Sequence, residues 1–422
     1  MFLEAQNFIP PRGLIYNPGR VLRRANFGAS FDDIVVGAGI TGLWTANELA
    51  KAGRKVLLLE QFPRCTSRGG SAGSSRAIEL SFPIVGAVSS FMNGINHYAN
   101  LQAESDIQVI ADSDLLVLTD DPMEGTPFPA LLRDLEDNYG IKLEHLHSEE
   151  LVNRFPGYQF TEQSHAIYDN QTAKELLASG AIHALWEMAP KNGVTTCSPC
   201  PVTSVAEVAD ADGTSRLRVT CKRTPVDPAE YLAKNVILAT GAGTSSINIT
   251  NSRNEPVPLP QVTPQLWAQL YFRKKPDVPC STNTGFIEWA WQNGGNPMLA
   301  WGRPSINTQT DYDFLIGIGD HAEVSSASQM ENPATFQVFV QSVQDYVKNR
   351  MPCLDENPLF IERAMNYKVD TGVSGGHPLE GISSVYLAIE DVIVSYVVAS
   401  KWRRSFEIEL HYAFHQIKMG LE

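Results

Sequence analysis

The apolar positions of this chain change period several times, and the changes mark its elements. Ile34, Val35 and Val36 run without a polar break, as a parallel strand buried on both faces requires. Leu43, Ala46, Leu49 and Ala50 then recur at helical spacing up to Ala52-Gly53, and Val56 to Leu59 is a second apolar run. Further helices are predicted over about 84–108, Phe128 to Tyr139, Glu149 to Pro156, Glu175 to Ala189 and Pro333 to Val347. In the fourth of these Leu176, Leu177, Ile182, Leu185 and Trp186 supply the buried side. Pro333 stands at a helix start, where a missing amide costs least. Asp114 to Leu118 reads as a strand; Val202 to Val208 and Leu217 to Cys221 alternate like antiparallel strands around the turn Ala211-Asp-Gly213. Asn235 to Ala239 is another buried strand, closing in Ala239-Thr-Gly241. From Leu266 to Ile318 the pattern is strand-rich and aromatic, with a hairpin turn at Asn293-Gly-Gly-Asn296. A curved antiparallel sheet is expected there, most of its aromatics being core and one face flooring a pocket.

The first turn carries chemistry. Gly37, Gly39 and Gly42 form G-x-G-x-x-G between strand and helix: one glycine for the tight turn, one for close approach to a pyrophosphate, one for helix–strand packing. Glu60 ends the second strand 23 positions after Gly37, near the place of the acid that bonds a ribose hydroxyl. Ser67 to Ser75 is a glycine- and serine-rich loop leading into Arg76, with small residues suited to lie against a ring or an anion. The Ala-Thr-Gly strand about 200 positions later points to FAD rather than NAD, because an NAD dehydrogenase more often continues with regular βα units after the acid.

Composition narrows the partners. Net charge is −14 with no basic stripe, so nucleic acid and membranes are not expected partners, and Lys401 to Arg404 reads as a solvated face. No run approaches ~18 apolar residues, so no transmembrane helix is expected. The first thirty residues carry Arg12, Arg20, Arg23 and Arg24 without a signal-peptide core and read as an extended arm. The last residues are no peroxisomal signal, so an intracellular, cytoplasmic location is expected. Six cysteines make no disulfide framework, and Cys197-Ser-Pro-Cys200 lacks a second pair for zinc; no metal is expected. Gly319-Asp320-His321 and His377-Pro378 are read as structural rather than catalytic.

With these pieces placed, the chain resembles the monomeric sarcosine oxidase and pipecolate oxidase family, FAD-dependent amine oxidases with the D-amino-acid-oxidase type of fold. The resemblance rests on Leu57 to Phe62, Ser67 to Arg76, Ser148 to Pro156, Val236 to Gly241, Val257 to Pro260, Trp301-Gly-Arg-Pro304 and Ile361 to Ala364. It implies oxidation of a C–N bond of an amine or amino-acid-like substrate to an imine, with O2 reduced to hydrogen peroxide. The departures fall where the family keeps its chemistry. Ala72 replaces a histidine, Glu79 an arginine for the substrate carboxylate, and Leu315 a lysine; the flavin-linking cysteine falls at Ala364 or Met365. Glu390 to Val398 lacks every glycine of the family's closing segment. Non-covalent FAD is therefore expected, and Glu79 favours a cationic amine over a simple N-methyl amino acid. A catalytically impaired flavin binder, or a dehydrogenase using another acceptor, is the alternative.

The expected architecture is α/β, a Rossmann-like FAD-binding domain with an antiparallel-sheet substrate domain. The FAD part takes residues 31–83, 150–256 and 355–395; the substrate part 84–149 and 257–354; an arm 1–30 precedes them and a divergent segment 396–422 follows. FAD is assigned to Gly37, Gly39, Ile40, Thr41, Gly42, Glu60, Gln61, Arg68, Ser71, Ser75, Arg76, Gly241 and, through its backbone, Val202. Glu79, Trp301 and Arg303 are assigned to the substrate.

Overall fold

The computed structural model describes residues 29–66, 69–71, 73–78, 88–122, 128–209, 213–224, 227–257, 261–293, 296–305, 312–319, 322–323, 333–370, 383–389 and 392–398. Residues 1–28 of the arm, Arg68, Ala72, Glu79, Ala211-Asp212, Pro258 to Pro260, the two glycines of the Asn293–Asn296 turn, Asp320-His321, His377-Pro378, Glu390-Asp391 and the chain after Val398 lie outside the described residues, while Ser30 already belongs to the first strand.

The strand Ser30–Val36 is flanked by two parallel neighbours, Val56–Leu59 and the last half of Asp227–Leu238. Its alternation decides what it packs against. Phe31, Ile34 and Val36 face a core shared with Val205, Val219, Tyr231 and Val236, while Val35 faces the helices Ile40–Lys51 and Ala178–Lys191. Thr195–Cys197 extends this first sheet beyond Val56–Leu59. Val202–Ala209, Ser215–Thr224 and the start of Asp227–Leu238 form the antiparallel meander at its other side. Val392–Val398 is a strand, parallel to Val236 to Leu238 and paired with Ser383–Ile389.

The second sheet is mixed. Gln261–Phe272, Thr284–Asn293, Asn296–Pro304 and Phe314–Ile318 are antiparallel neighbours, joined by Asp114–Thr119, His165–Asp169 and Glu144–His147 on one side. Phe360–Asp370 pairs antiparallel with Gln261–Phe272. One face carries Ala268, Leu270, Phe272, Phe286, Phe314 and Ile316 onto the helix Pro333–Arg350. The other face carries Gln269, Tyr271, Trp301 and Leu315 away from that helix.

Three expectations need correction. Lys174–Leu176 is a strand rather than the start of a helix, pairing with Arg76–Ile78 and Ile110–Asp112; the helix begins at Ala178. Residues 150–170 follow the second sheet, because His165–Asp169 hydrogen-bonds to Asp114–Thr119 and not to the first sheet. Phe360–Asp370 likewise belongs to the second sheet, so the return of the chain to the first sheet comes after residue 370. A disulfide, Cys280–Cys353, closes a loop the cysteine spacing did not reveal. Cys197 and Cys200 are buried at the end of the Thr195–Cys197 strand, as structural thiols would be.

Candidate functional site

The glycine turn is built by contacts that tolerate no side chain. Gly37 sits at φ +98°, and a Cβ there would meet Ala239 O at 2.4 Å; one on Gly42 would meet Gly37 O at 1.8 Å. The turn therefore lies flush against Ala239 at the end of the Asp227–Leu238 strand. Ile40 and Thr41 are buried in the first helical turn.

Glu60 closes over this turn. Its Oε2 accepts from the Ala38 amide at 2.6 Å and its Oε1 from the Phe62 amide at 2.8 Å. Burial pushes the Glu60 carboxyl up, and the amides of Phe62, Ala38 and Gln61 pull the other way without cancelling it. The Glu60 backbone is itself bracketed, donating to Cys197 O and accepting from Cys200 N at 2.6 Å, which brings the start of the Val202–Ala209 strand alongside. Ser71 reaches the same helix end from the loop: its Oγ accepts from the Ile40 amide at 3.0 Å and stands 3.0 Å from where a Cβ on Gly39 would be. Gly241, at φ +53°, opens the 3-10 turn Gly241–Ser246, pinned by a 2.8 Å contact between the Thr240 and Thr244 hydroxyls. Gln61 approaches that turn, its Nε2 3.6 Å from the Cβ position of Gly243.

The structure thus gathers Gly37, Gly39, Ile40, Thr41, Gly42, Glu60, Gln61, Ser71, Val202 and Gly241 around the carboxyl ends of the central parallel strands, where open α/β sheets take ligands. Ser75 is 4% exposed and its Oγ has no hydrogen-bond partner among the described residues, an orphan that a bound group would satisfy. A backbone cradle with no room for Cβ atoms, an acid beside it and an orphaned hydroxyl in the continuing loop fit a dinucleotide.

Of the substrate residues, Trp301 is half-buried, its ring lying over Gly317, where a Cβ would be 2.3 Å from it. Arg303 is 4% exposed; its Nη1 donates to Gly302 O at 2.6 Å and Phe286 O at 3.0 Å, and its Nε lies 3.8 Å from the fully buried Glu175. That places Arg303 as a brace between two sheets. Leu315 is fully buried.

Sequence reasoning missed a polar cluster facing the serine-rich loop. Tyr271 donates to Glu362 Oε2 at 2.5 Å, its hydroxyl lies 3.2 Å from Ser74 Oγ, and Tyr312 donates to the same Ser74 oxygen at 3.2 Å. Burial pushes the Glu362 carboxyl up, against the pull of the Tyr271 hydroxyl, the Arg76 guanidinium and the Gly73 amide. Arg76 also donates to Ser75 O at 2.6 Å. The available signal was the alternation of Gln269 and Tyr271 with Ala268, Leu270 and Phe272, which puts two polar tips on one face. A separate small hollow beneath the helix Pro333–Arg350 is lined by Asp120, Glu288, Tyr346 and Arg350, which bond one another. Among the described residues no cluster of His, Cys, Asp and Glu could hold a metal ion, and no helix is long and apolar enough to cross a membrane.

Comparison with known proteins agrees with this geometry. The DAO model, FAD dependent oxidoreductase, matches residues 32–364. Peroxisomal sarcosine oxidase of Mus musculus is 28% identical over 344 residues, covering 79% of this chain and 80% of the relative. The Homo sapiens protein of the same name is 26% identical over 348 residues, with 79% and 80% covered. Among solved structures, NikD, described as an unusual amino acid oxidase, superposes with a TM-score of 0.69 at 18% identity, covering 90% of this chain and 94% of that one. L-proline dehydrogenase from P. horikoshii gives 0.64 at 16% identity, with 90% and 91% covered. These two likenesses establish the fold.

Proposed function

The chain belongs to the DAO family of FAD-dependent oxidoreductases, and from that premise we propose that it oxidises the C–N bond of an amine or amino-acid-like substrate to an imine. The observation that carries this reading is the convergence of the Glu60-closed glycine turn with a buried polar face of the second sheet, across the loop Gly73–Arg76. The sarcosine oxidases among the relatives and the amino acid oxidase fold supply the class of substrate.

Bound FAD supplies the acceptor for a hydride equivalent from the amine carbon. The residues of the chain hold and orient. Gly37, Gly39, Ile40, Thr41, Gly42 and Ser71 cradle the pyrophosphate at the helix N-terminus; Glu60 takes the ribose hydroxyls; Val202 and Gln61 flank the adenosine side. Arg68, Ser75, Arg76 and Gly241 are assigned to the ring end, and FAD would be held without a covalent bond, neither Ala364 nor Met365 carrying a thiol. Glu79 and Trp301 are assigned to the amine. The first acceptor is O2, giving hydrogen peroxide; the fully buried Leu315, where the resemblance has a lysine, favours a second reading in which another acceptor takes the electrons.

Purified protein should be yellow, release its flavin on acid denaturation, and bleach anaerobically when a panel of secondary amines and diamines is added. Air then restores the colour with peroxide formed if O2 is the acceptor, whereas recovery only with a dye acceptor selects the second reading. A colourless protein that takes up no FAD overturns the proposal.

A further inference from the structure

We propose that Gln269 and Glu362 together form the subsite that receives the N–H groups of the amine, and so set which amines this protein accepts. The inference rests on the amine-oxidising reading above and assigns its specificity.

The two residues are direct neighbours across the sheet: Gln269 is registered opposite Glu362 in the pairing of Gln261–Phe272 with Phe360–Asp370. Ala268, Leu270 and Ile361 pack on the helix side, so both polar residues project from the opposite face. That face meets the loop issuing from the dinucleotide turn, and the turn Gly241–Ser246 lies against both strands. The pair therefore stands in the crevice between the two sheets at the carboxyl ends of the central strands.

Gln269 is 2% exposed, yet its Oε1 has no hydrogen-bond partner among the described residues. A buried acceptor left so costs stability that a donor on a ligand returns. Glu362 contributes a second acceptor, its Oε2 oriented by the 2.5 Å bond from Tyr271. Tyr271 is in turn held by Ser74, so the carboxylate is fixed before any ligand arrives. Gly73 packs closely against this pair: at φ +107°, a Cβ there would lie 2.7 Å from Gln269 Oε1 and 2.6 Å from Arg76 Nη1. Two acceptor oxygens side by side on one face of the sheet recognise an N–H donor, and a site built this way rejects an analogue that lacks the donor.

The test titrates FAD-loaded protein anaerobically with matched pairs, N-methylglycine with N,N-dimethylglycine and N-methylbutylamine with N,N-dimethylbutylamine, reading the visible spectrum. Wild type should bind the secondary member of at least one pair about tenfold or more tightly. Gln269→Met and Glu362→Gln should each erase most of that preference while the FAD dissociation constant stays within about twofold of wild type. Glu362→Gln keeps the shape of the side chain and so guards against a folding failure in Gln269→Met. A preference unchanged in both variants overturns the subsite, as does a large loss of FAD affinity, which would assign the acceptors to the cofactor. If the wild-type spectrum responds to no amine, the amine-oxidising reading itself fails, and the subsite with it.

Discussion

At Glu60 a buried carboxyl braces a backbone turn, accepting from the Ala38 and Phe62 amides. Its folded-state pKa is raised by burial, with backbone amides opposing, so the native protein holds its proton to higher pH than the unfolded chain does. Between the ordinary carboxylate value and that raised value the fold binds more protons, and stability rises as pH falls through the window. Melting temperatures of flavin-free wild type and Glu60→Gln, compared from about pH 7 to about pH 5, should show wild type gaining on the variant as pH is lowered. A difference that stays constant with pH would refute the assignment. The same exchange should weaken FAD about tenfold, because one ribose acceptor becomes a donor. Residues of this kind were legible in the sequence: Gly37, Gly42 and Glu60 are fixed by a local strand–turn–helix pattern. Gln269 and Glu362 were not, since their meeting depends on the register of two strands far apart in the chain.

Among the elements, Lys174–Leu176 shows where periodicity misleads. Leu176, Leu177, Ile182 and Leu185 fit a helix, yet Lys174–Leu176 is held extended between Arg76–Ile78 and Ile110–Asp112. Tertiary pairing outweighs a weak local preference there, and Glu175 at its centre becomes the fully buried partner of Arg303. The motif Trp301-Gly-Arg-Pro304 drew attention to Arg303 as a substrate residue, and only the fold shows that its guanidinium joins the second sheet to the small one. Removing one member of a buried pair strands the other. Glu175→Ala should therefore cost on the order of 3–5 kcal/mol in urea unfolding, and Glu175→Gln less. A loss under about 1 kcal/mol for the alanine variant would mean that the brace is dispensable.

At the scale of the whole molecule, the chain passes repeatedly between two sheets, and the outline of an FAD-binding body beside a second sheet was visible from the order of motifs. The crossing points were not, because short strands such as His165–Asp169 carry too few residues to declare which sheet they join. The disulfide was equally hidden: Cys280 and Cys353 are 73 residues apart and share no motif. Their link ties the loop before Thr284–Asn293 to the end of the helix Pro333–Arg350, and the neighbouring backbone is knitted to it by Lys275 N donating to Cys353 O and Ser281 N to Pro156 O. In the chain-entropy picture, closing a loop of that length restricts the unfolded state by about 4 kcal/mol. The staple joins segments flanking Thr284–Asn293 and Pro333–Arg350, and neither cysteine is among the residues gathered at the glycine turn. Reductant should thus lower the melting temperature by several degrees while FAD affinity at room temperature is unchanged. Cys280→Ser should melt like the reduced wild type and no longer respond to reductant. A wild-type protein whose melting is indifferent to reductant, with both thiols alkylated as isolated, would show that the link does not form in solution.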